Sequence, residues 1–425
     1  MRDGLSGLTL RGRAFLAAGV TAVVCAVLLG QSSLTRIGIL VAALPLIAAF
    51  VIGRRRFSVS LRRDVQPRLV TAGQPARVDI GLRNEGRAGV GALLVEDQVP
   101  YALGSRPRFV LQGLGREWER SVAYGLRSDV RGRFEIGPLT VRVADPFGLV
   151  EVRRTLPGTA SLVVTPRTVD LPPIPIVAGW SGSGEHRPQA YAAGSAEDVS
   201  VREYRRGDEL RRVHWRSSAR VGDLMVRREE QPWEARATVL LDNRLRSHRG
   251  QGLGSSFELG VVAAASVVVH LDRHGYAVRL ATADGALGES GEPATAVLER
   301  LALLGTTQHP SIDTAWSGDH SRGGLVVAVL GGVEPGDLTA LRRLRHDAGT
   351  ALALVLDVEQ WAGRSSRGPE GATTSTVGSL GWRAAPLGPR DRLDAAWRDL
   401  GRSAGRPVGP AAGMVHGVHG TAVPR

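Results

Sequence analysis

Two stretches decide the architecture: AFLAAGVTAVVCAVLLG at Ala14–Gly30 and IGILVAALPLIAAFVIG at Ile37–Gly53, separated by QSSLTR at Gln31–Arg36. Neither run carries a charge, and each is 17 residues long. That is near the shortest apolar run that crosses a hydrocarbon core of roughly 30 Å, and a helix satisfies its own backbone polar groups in lipid. One such run would fit a core helix or a signal peptide. Two, with six residues between them, predict a transmembrane helical hairpin that holds the chain in the membrane through residues 14–53. Pro45 is expected to kink the second span.

Arginine sets the expected orientation. Arg2, Arg11 and Arg13 precede the first run, only Arg36 lies between the two, and Arg54, Arg55, Arg56, Arg62 and Arg63 follow the second. The positive-inside rule places both ends of the hairpin, and the bulk of the chain, on the cytoplasmic side of the cell membrane. A cleaved signal followed by one span would put the bulk outside, against that arginine cluster.

Of 425 residues, 54 are basic and 41 acidic, a formal net charge of +13. Such a balance raises nucleic acid as a partner. All of the basic residues are arginine, however, and the chain is rich in Ala, Gly, Val and Leu, as a GC-rich bacterial genome would make it. No nucleic-acid partner is expected. The single cysteine, Cys25, lies inside the first apolar run, which excludes an intramolecular disulfide and a cysteine-based zinc site.

Outward from the hairpin the period changes to two. FSVSLRRDV, ARVDIGLRN, WERSVAYGLRS, PLTVRV and SLVVTP alternate apolar and polar residues between turns at Asn84-Glu85-Gly86, Arg131-Gly132 and Asp145-Pro146. The pattern predicts an antiparallel β-sandwich of about seven strands over residues 57–165. Asp145, Pro146, Phe147 and Gly148 form a tight-turn motif whose Phe is expected to plug the sandwich end. A loop-rich linker and an arginine-rich segment, 166–235, follow. From residue 236 apolar strands alternate with helices (ATVLLD, SSFELGVVAAASVVVHLDRHG, YAVRLAT, PATAVLERLALLG, GLVVAVLG, PGDLTALRRLRHDAG, TALALVLD), which predicts a doubly wound α/β domain to residue 402. Residues 403–425 are expected to be a disordered tail. No glycine-rich phosphate loop is placed in this domain.

The densest charge lies in DVSVREYRRGDELRRVHWRSSARVGDLMVRREEQ, Asp198–Gln231. Its signs are interleaved, which favours Arg–carboxylate pairs over a one-sided nucleic-acid groove. A short helix is expected over Glu209–Ser218, capped by Asp208, with Val213 and Trp215 turned to the core. A catalytic reading would make His214 a base beside Asp208, but no nucleophile context accompanies it. A hydrogen-bonded structural histidine is the better reading. The segment is therefore read as a structural clasp.

Tyr204, Gly207-Asp208, Arg211, Val213-His214-Trp215 and Ala219-Arg220, together with Arg202 upstream, are similar to the signature of the bacterial "domain of unknown function 58" family. Arg131-Gly132 and Asp145-Pro146-Phe147-Gly148-Leu149 resemble it as well. The resemblance implies two spans, a β-rich region, the signature and an α/β domain. It also implies a partnership with a MoxR-type AAA+ ATPase, beside which members are often encoded, in envelope or complex assembly. The α/β pattern resembles a von Willebrand factor A-like domain, in which a D-x-S-x-S motif holds a divalent cation with oxygen ligands. Asp242 stands at the first position, but Arg244 and Arg246 stand where the serines would be. A degenerate site with no metal, and no other cofactor, is therefore expected, with Asp242 paired to an arginine. The sequence reads as a membrane-anchored non-enzymatic scaffold or adaptor. The competing readings are a hydrolase using Asp208 and His214, and a nucleic-acid-binding protein using the arginine-rich segment.

Overall fold

The computed structural model of the chain describes residues 7–54, 59–86, 90–175, 201–204, 213, 215–227, 235–317, 324–363 and 372–402. Two compact units divide it: residues 1–168 with 295–305, and residues 169–294 with 306–425.

The first unit opens with α1 (Leu10–Leu28) and α2 (Ser32–Arg54), both long and apolar enough to cross a membrane. At about 1.5 Å per residue, 19 and 23 residues rise roughly 28 and 35 Å. The first helix begins ahead of the apolar run because Thr9 caps it, its Oγ1 accepting from Gly12 N at 3.1 Å. Helix α2 runs continuously through Pro45.

Among the described residues ten strands follow rather than about seven: β1 (Val59–Gln66), β2 (Leu69–Thr71), β3 (Pro75–Asn84), β4 (Val90–Asp97), β5 (Arg108–Leu114), β6 (Glu119–Arg127), β7 (Gly132–Ile136), β8 (Leu139–Ala144), β9 (Glu151–Leu156) and β10 (Ala160–Thr165). They form three sheets, ordered β1-β3-β6, β2-β10-β7 and β5-β4-β8-β9. The arrangement is not purely antiparallel, since β2 runs parallel to β10. Pro67, which cannot donate to a ladder, separates β1 from β2, and the two join different sheets. Alternation puts Val78, Ile80 and Leu82 of β3 into one core with Leu93, Val95, Val141, Leu162 and Val164. Arg63 is buried there rather than free at a membrane surface. Its Nη2 lies 2.5 Å from Asp97 Oδ1, and Tyr124 donates to Asp97 Oδ2.

The Asp145–Gly148 turn is present, but Phe147 does not plug the strands: it is 67% exposed. The buried residues are the next two, Leu149 and Val150, which pack on Leu44, Ala48, Ala49 and Ile52 of α2.

The second unit carries β11 (Val201–Glu203), α3 (Trp215–Val221) and β12 (Met225–Arg227), with β11 and β12 antiparallel. The elements that follow in the chain are β13 (Arg236–Leu241), α4 (Ser256–Arg273), β14 (Ala277–Thr282), β15 (Gly285–Leu287), α5 (Ala294–Leu303), β16 (Leu325–Leu330), α6 (Leu338–Asp347), β17 (Thr350–Leu356), α7 (Val358–Trp361), α8 (Ala372–Ser379), β18 (Arg383–Leu387) and α9 (Leu393–Arg402). Most of α5 belongs to the first unit. The six-stranded sheet is ordered β15-β14-β13-β16-β17-β18 and is parallel except at β15. Every residue of β16 and β17 is buried, as strands covered on both faces must be. The expected linker is in part fixed: Val169 N donates to Ser266 Oγ at 2.9 Å, and Trp397 Nε1 to Pro172 O at 3.0 Å. The rest of that linker, 176–200, and the expected tail, 403–425, lie outside the described residues.

Within the first unit, the Arg131 guanidinium caps the C-terminus of α5, donating to the carbonyls of Leu301 at 2.6 Å and Leu304 at 2.8 Å. A cation there meets the negative end of the helix dipole.

Candidate functional site

In the six-stranded sheet β13 is first in the chain, with β14 on one side and β16 on the other. The strand order reverses between β13 and β16. In an open parallel sheet, the crevice at the carboxyl ends of two such strands is where ligands bind. Here a side chain of the protein fills it. The residue following β13 is Asp242, and two residues later Arg244 folds back on it. Arg244 Nε donates to Asp242 Oδ1 and Nη2 to Oδ2, each at 2.9 Å, while Arg244 N also donates to Oδ1 at 3.1 Å. From the loop after β16, Asp337 accepts from Arg244 Nη1 at 2.5 Å and from Nη2 at 3.0 Å. Asp242 and Arg244 are fully buried and Asp337 is 1% exposed.

Local sequence explains the convergence. A Cβ on Gly331 would stand 2.2 Å from Ser247 O, so only glycine lets the loop after β16 lie against the loop after β13. Gly332 N then donates to Ser247 O at 2.7 Å. Asp337 is held from its own side, its Oδ2 accepting from Glu334 N at 3.0 Å in a capping box. Arg246 bridges outward, with Nη1 3.2 Å from Glu334 Oε2 and Nη2 3.5 Å from Asp337 Oδ1. Asn243 Nδ2 donates to Asp284 Oδ2 at 3.1 Å.

Burial works against a charged Arg244, yet the bonds to Asp242 and Asp337 outweigh it and hold the guanidinium above its ordinary pKa. His248 lies beneath, with Nε2 2.6 Å from Asp242 O and Nδ1 3.1 Å from Ser256 Oγ. Burial pushes its pKa down, so the ring is neutral. The neutral tautomer that fits carries its proton on Nε2 and donates it to the carbonyl.

Two carboxylates clamping one guanidinium can brace loops, but they are poor metal ligands. Both oxygens of Asp242 are engaged, and the Arg244 charge stands between the two acids. The residues present therefore do not fit a divalent cation. Among the described residues no group of three or more His, Cys, Asp or Glu is placed to hold a metal.

The arginine-rich signature is described only in part. Gly207, Asp208, Arg211 and His214 lie outside the described residues, so the expected cap and the catalytic pairing cannot be placed. Arg202 is in β11, and Tyr204 N donates to Leu224 O at 2.8 Å. Val213 is buried and bridges Val226, as a core contact should. Trp215 corrects the expectation of a core contact, being 70% exposed. Ala219 and Arg220 are exposed on the same helix, α3. That helix covers Trp215–Val221 rather than ending at Ser218. Gly222 and Asp223 lie in the turn that joins α3 to β12.

The family model described as "Protein of unknown function DUF58" matches residues 200–300, a span that takes in the signature and the Asp242–Arg244 loop. No curated protein matches the chain. Among solved structures, the CARDB domain of the PF1109 protein from Pyrococcus furiosus is 17% identical, with a TM-score of 0.19, over 25% of this chain and 93% of that one. The complex of zinc 2-glycoprotein and prolactin inducible protein from human seminal plasma gives 10% identity and a TM-score of 0.20, over 26% and 98%. A β-glucosidase from Listeria innocua gives 14% identity and a TM-score of 0.16, over 26% and 16%. At these scores none of the three bears on fold or function.

Proposed function

We propose that the protein is a membrane-anchored, non-enzymatic scaffold. The α1–α2 hairpin crosses the cell membrane with both ends cytoplasmic, and the two units present surfaces to cytoplasmic partners. The α/β unit is von Willebrand factor A-like, with the position of that fold's cation filled from within. The observation that carries this reading is the buried Arg244 clamped between Asp242 and Asp337. It stops the crevice where a doubly wound sheet ordinarily takes a ligand. What remains for recognition is surface, and α3 offers an exposed Trp215 beside exposed Arg216 and Arg220. Exposed Trp and Arg are the residue types that dominate binding energy at protein interfaces. The signature is thus a recognition face at Trp215 and Arg220. The partner is a MoxR-type AAA+ ATPase, and the setting is envelope or complex assembly.

The test is recovery of that ATPase with the full-length protein from detergent-solubilised membranes. Wild type should retain it. Trp215→Ala and Arg220→Ala should lose it while melting within about 0.5 kcal/mol of wild type, as surface changes do. Equal recovery with both variants would remove α3 from the interface. Lower melting would restore the clasp.

A further inference from the structure

The Asp145–Val150 turn is built into the open end of the hairpin, where α1 begins and α2 ends. Thr9 N donates to Leu149 O at 2.9 Å, and Thr9 Oγ1 to Gly148 O at 2.7 Å. Leu8 and Val150 form an antiparallel bridge, and Glu151 N donates to Gly7 O at 2.8 Å. The approach to α1 requires glycine at position 12, where a Cβ would stand 2.1 Å from Leu149 O.

The turn also reaches along α2. Leu149 and Val150 are buried among Leu44, Ala48, Ala49 and Ile52. Ala49, the buried α2 residue of that cluster, precedes Arg54, the last residue of α2, by five positions, which is about 7.5 Å of helix axis. If Arg54 marks the membrane surface, this packing lies below it, so the turn sits among headgroups and not above them. Its backbone is fitted for that place. Asp145 Oδ2 accepts from Phe147 N at 2.9 Å and Oδ1 from Val150 N at 2.6 Å, while Gly148 N donates to Asp145 O at 3.0 Å. Such internal satisfaction is what apolar surroundings demand. At the tip Phe147 is 67% exposed, and Leu10, next to Thr9, is 85% exposed. The Arg11 guanidinium lies beside Gly148, 3.9 Å from where its Cβ would be.

We propose that this turn is a lipid-binding wedge, with Phe147 inserted at the headgroup–acyl boundary of the leaflet from which both hairpin ends emerge, and Arg11 at the phosphates. An exposed Phe is unfavourable in water and favourable in that boundary, while an arginine reaches from the helix end to phosphate. The wedge holds the β-rich unit against the bilayer. It rests on the reading of α1 and α2 as membrane spans.

Cys25 is the sole cysteine, so Cys25→Ser gives a background for single spin labels in the full chain. Labels at Phe147→Cys, at Ile39→Cys in α2 and at Tyr101→Cys, where Tyr101 is 98% exposed, are compared in phosphatidylcholine–phosphatidylglycerol vesicles. Collision with oxygen reports lipid, and collision with a water-soluble nickel chelate reports water. Position 147 should favour oxygen as 39 does, and 101 should favour nickel. Pro146→Cys, also exposed, should follow 147 and serves if that variant does not reconstitute. Labels at 146 and 147 that behave like 101, with 39 still in lipid, overturn the wedge alone. A water-exposed label at 39 overturns the span reading and the wedge with it.

Discussion

Replacing Arg244 with alanine should be among the most damaging single changes in the second unit. The substitution removes the guanidinium shared by two buried carboxylates, Asp242 fully buried and Asp337 1% exposed, and leaves only the half-exposed Arg246, 3.5 Å from Asp337 Oδ1, as a cation beside them. Removing one partner from a buried ion pair costs about 3–5 kcal/mol, because the other charge is left uncompensated. Here one cation serves two acids, so the upper half of that range is expected. For a domain of 150–250 residues, each kcal/mol moves the melting temperature by roughly 2–4 °C, so a fall of about 8–20 °C should be seen. Buried Trp316, Trp382 and Trp397 report on this unit by fluorescence in the detergent-solubilised full-length protein. Arg244→Lys keeps a charge but loses the planar fork that meets both carboxylates, and should fall between wild type and alanine. Adding Asp242→Ala to Arg244→Ala should cost less than the sum of the two single changes. A loss for Arg244→Ala below about 1 kcal/mol, the worth of an exposed pair, would refute the buried clamp.

Three further outcomes are expected. Asp97→Ala should destabilise the first unit by about 3–5 kcal/mol, since Arg63 and Asp97 have side chains only 4% and 0% exposed; denaturation that matches wild type would contradict it. His248 is held below its ordinary value of 6.5, so below that pH the unfolded chain takes up a proton that the folded chain refuses. Stability should therefore be complete above about pH 6.5 and fall as pH drops toward the lowered folded value. His270 is shifted in the same direction, so His248→Gln should lessen the acid slope without abolishing it, and an unchanged slope would exclude His248 as a source. Titration of the full-length protein with Mg²⁺ or Mn²⁺ by calorimetry should give no site-specific heat, whereas tight one-to-one binding lost in Asp242→Ala would show that the clamp opens for metal.

The hairpin, five of the ten β strands and the alternation of the α/β unit were legible because period and apolar length report burial directly. The other five strands were not: in β4, VGALLVED, the alternation is broken, and β2 and β7 are short, at three and five residues. Strand β18, RAAPL, was hidden in a Gly-, Ser- and Pro-rich stretch, where its proline is tolerated only because the strand is at an edge. The aromatic residues misled most. Phe147 and Trp215 look like core anchors in sequence, and both are exposed. At the crevice, Asp242 and the odd Arg244 could be read from the chain. Asp337 could not, because its place was set by a fold that brings together residues 93 positions apart. Its only local signal, an acid beside Pro335-Gly336 at a helix start, reads as an ordinary cap.

The central claim, a membrane anchor with both units in the cytoplasm, is tested most directly by reporter fusions at residue 425. Green fluorescent protein matures on the cytoplasmic side, and alkaline phosphatase is active only beyond the membrane. Membrane-bound fluorescence without phosphatase activity is the expected result. Phosphatase activity without fluorescence, or fluorescence recovered in the soluble fraction, would contradict it.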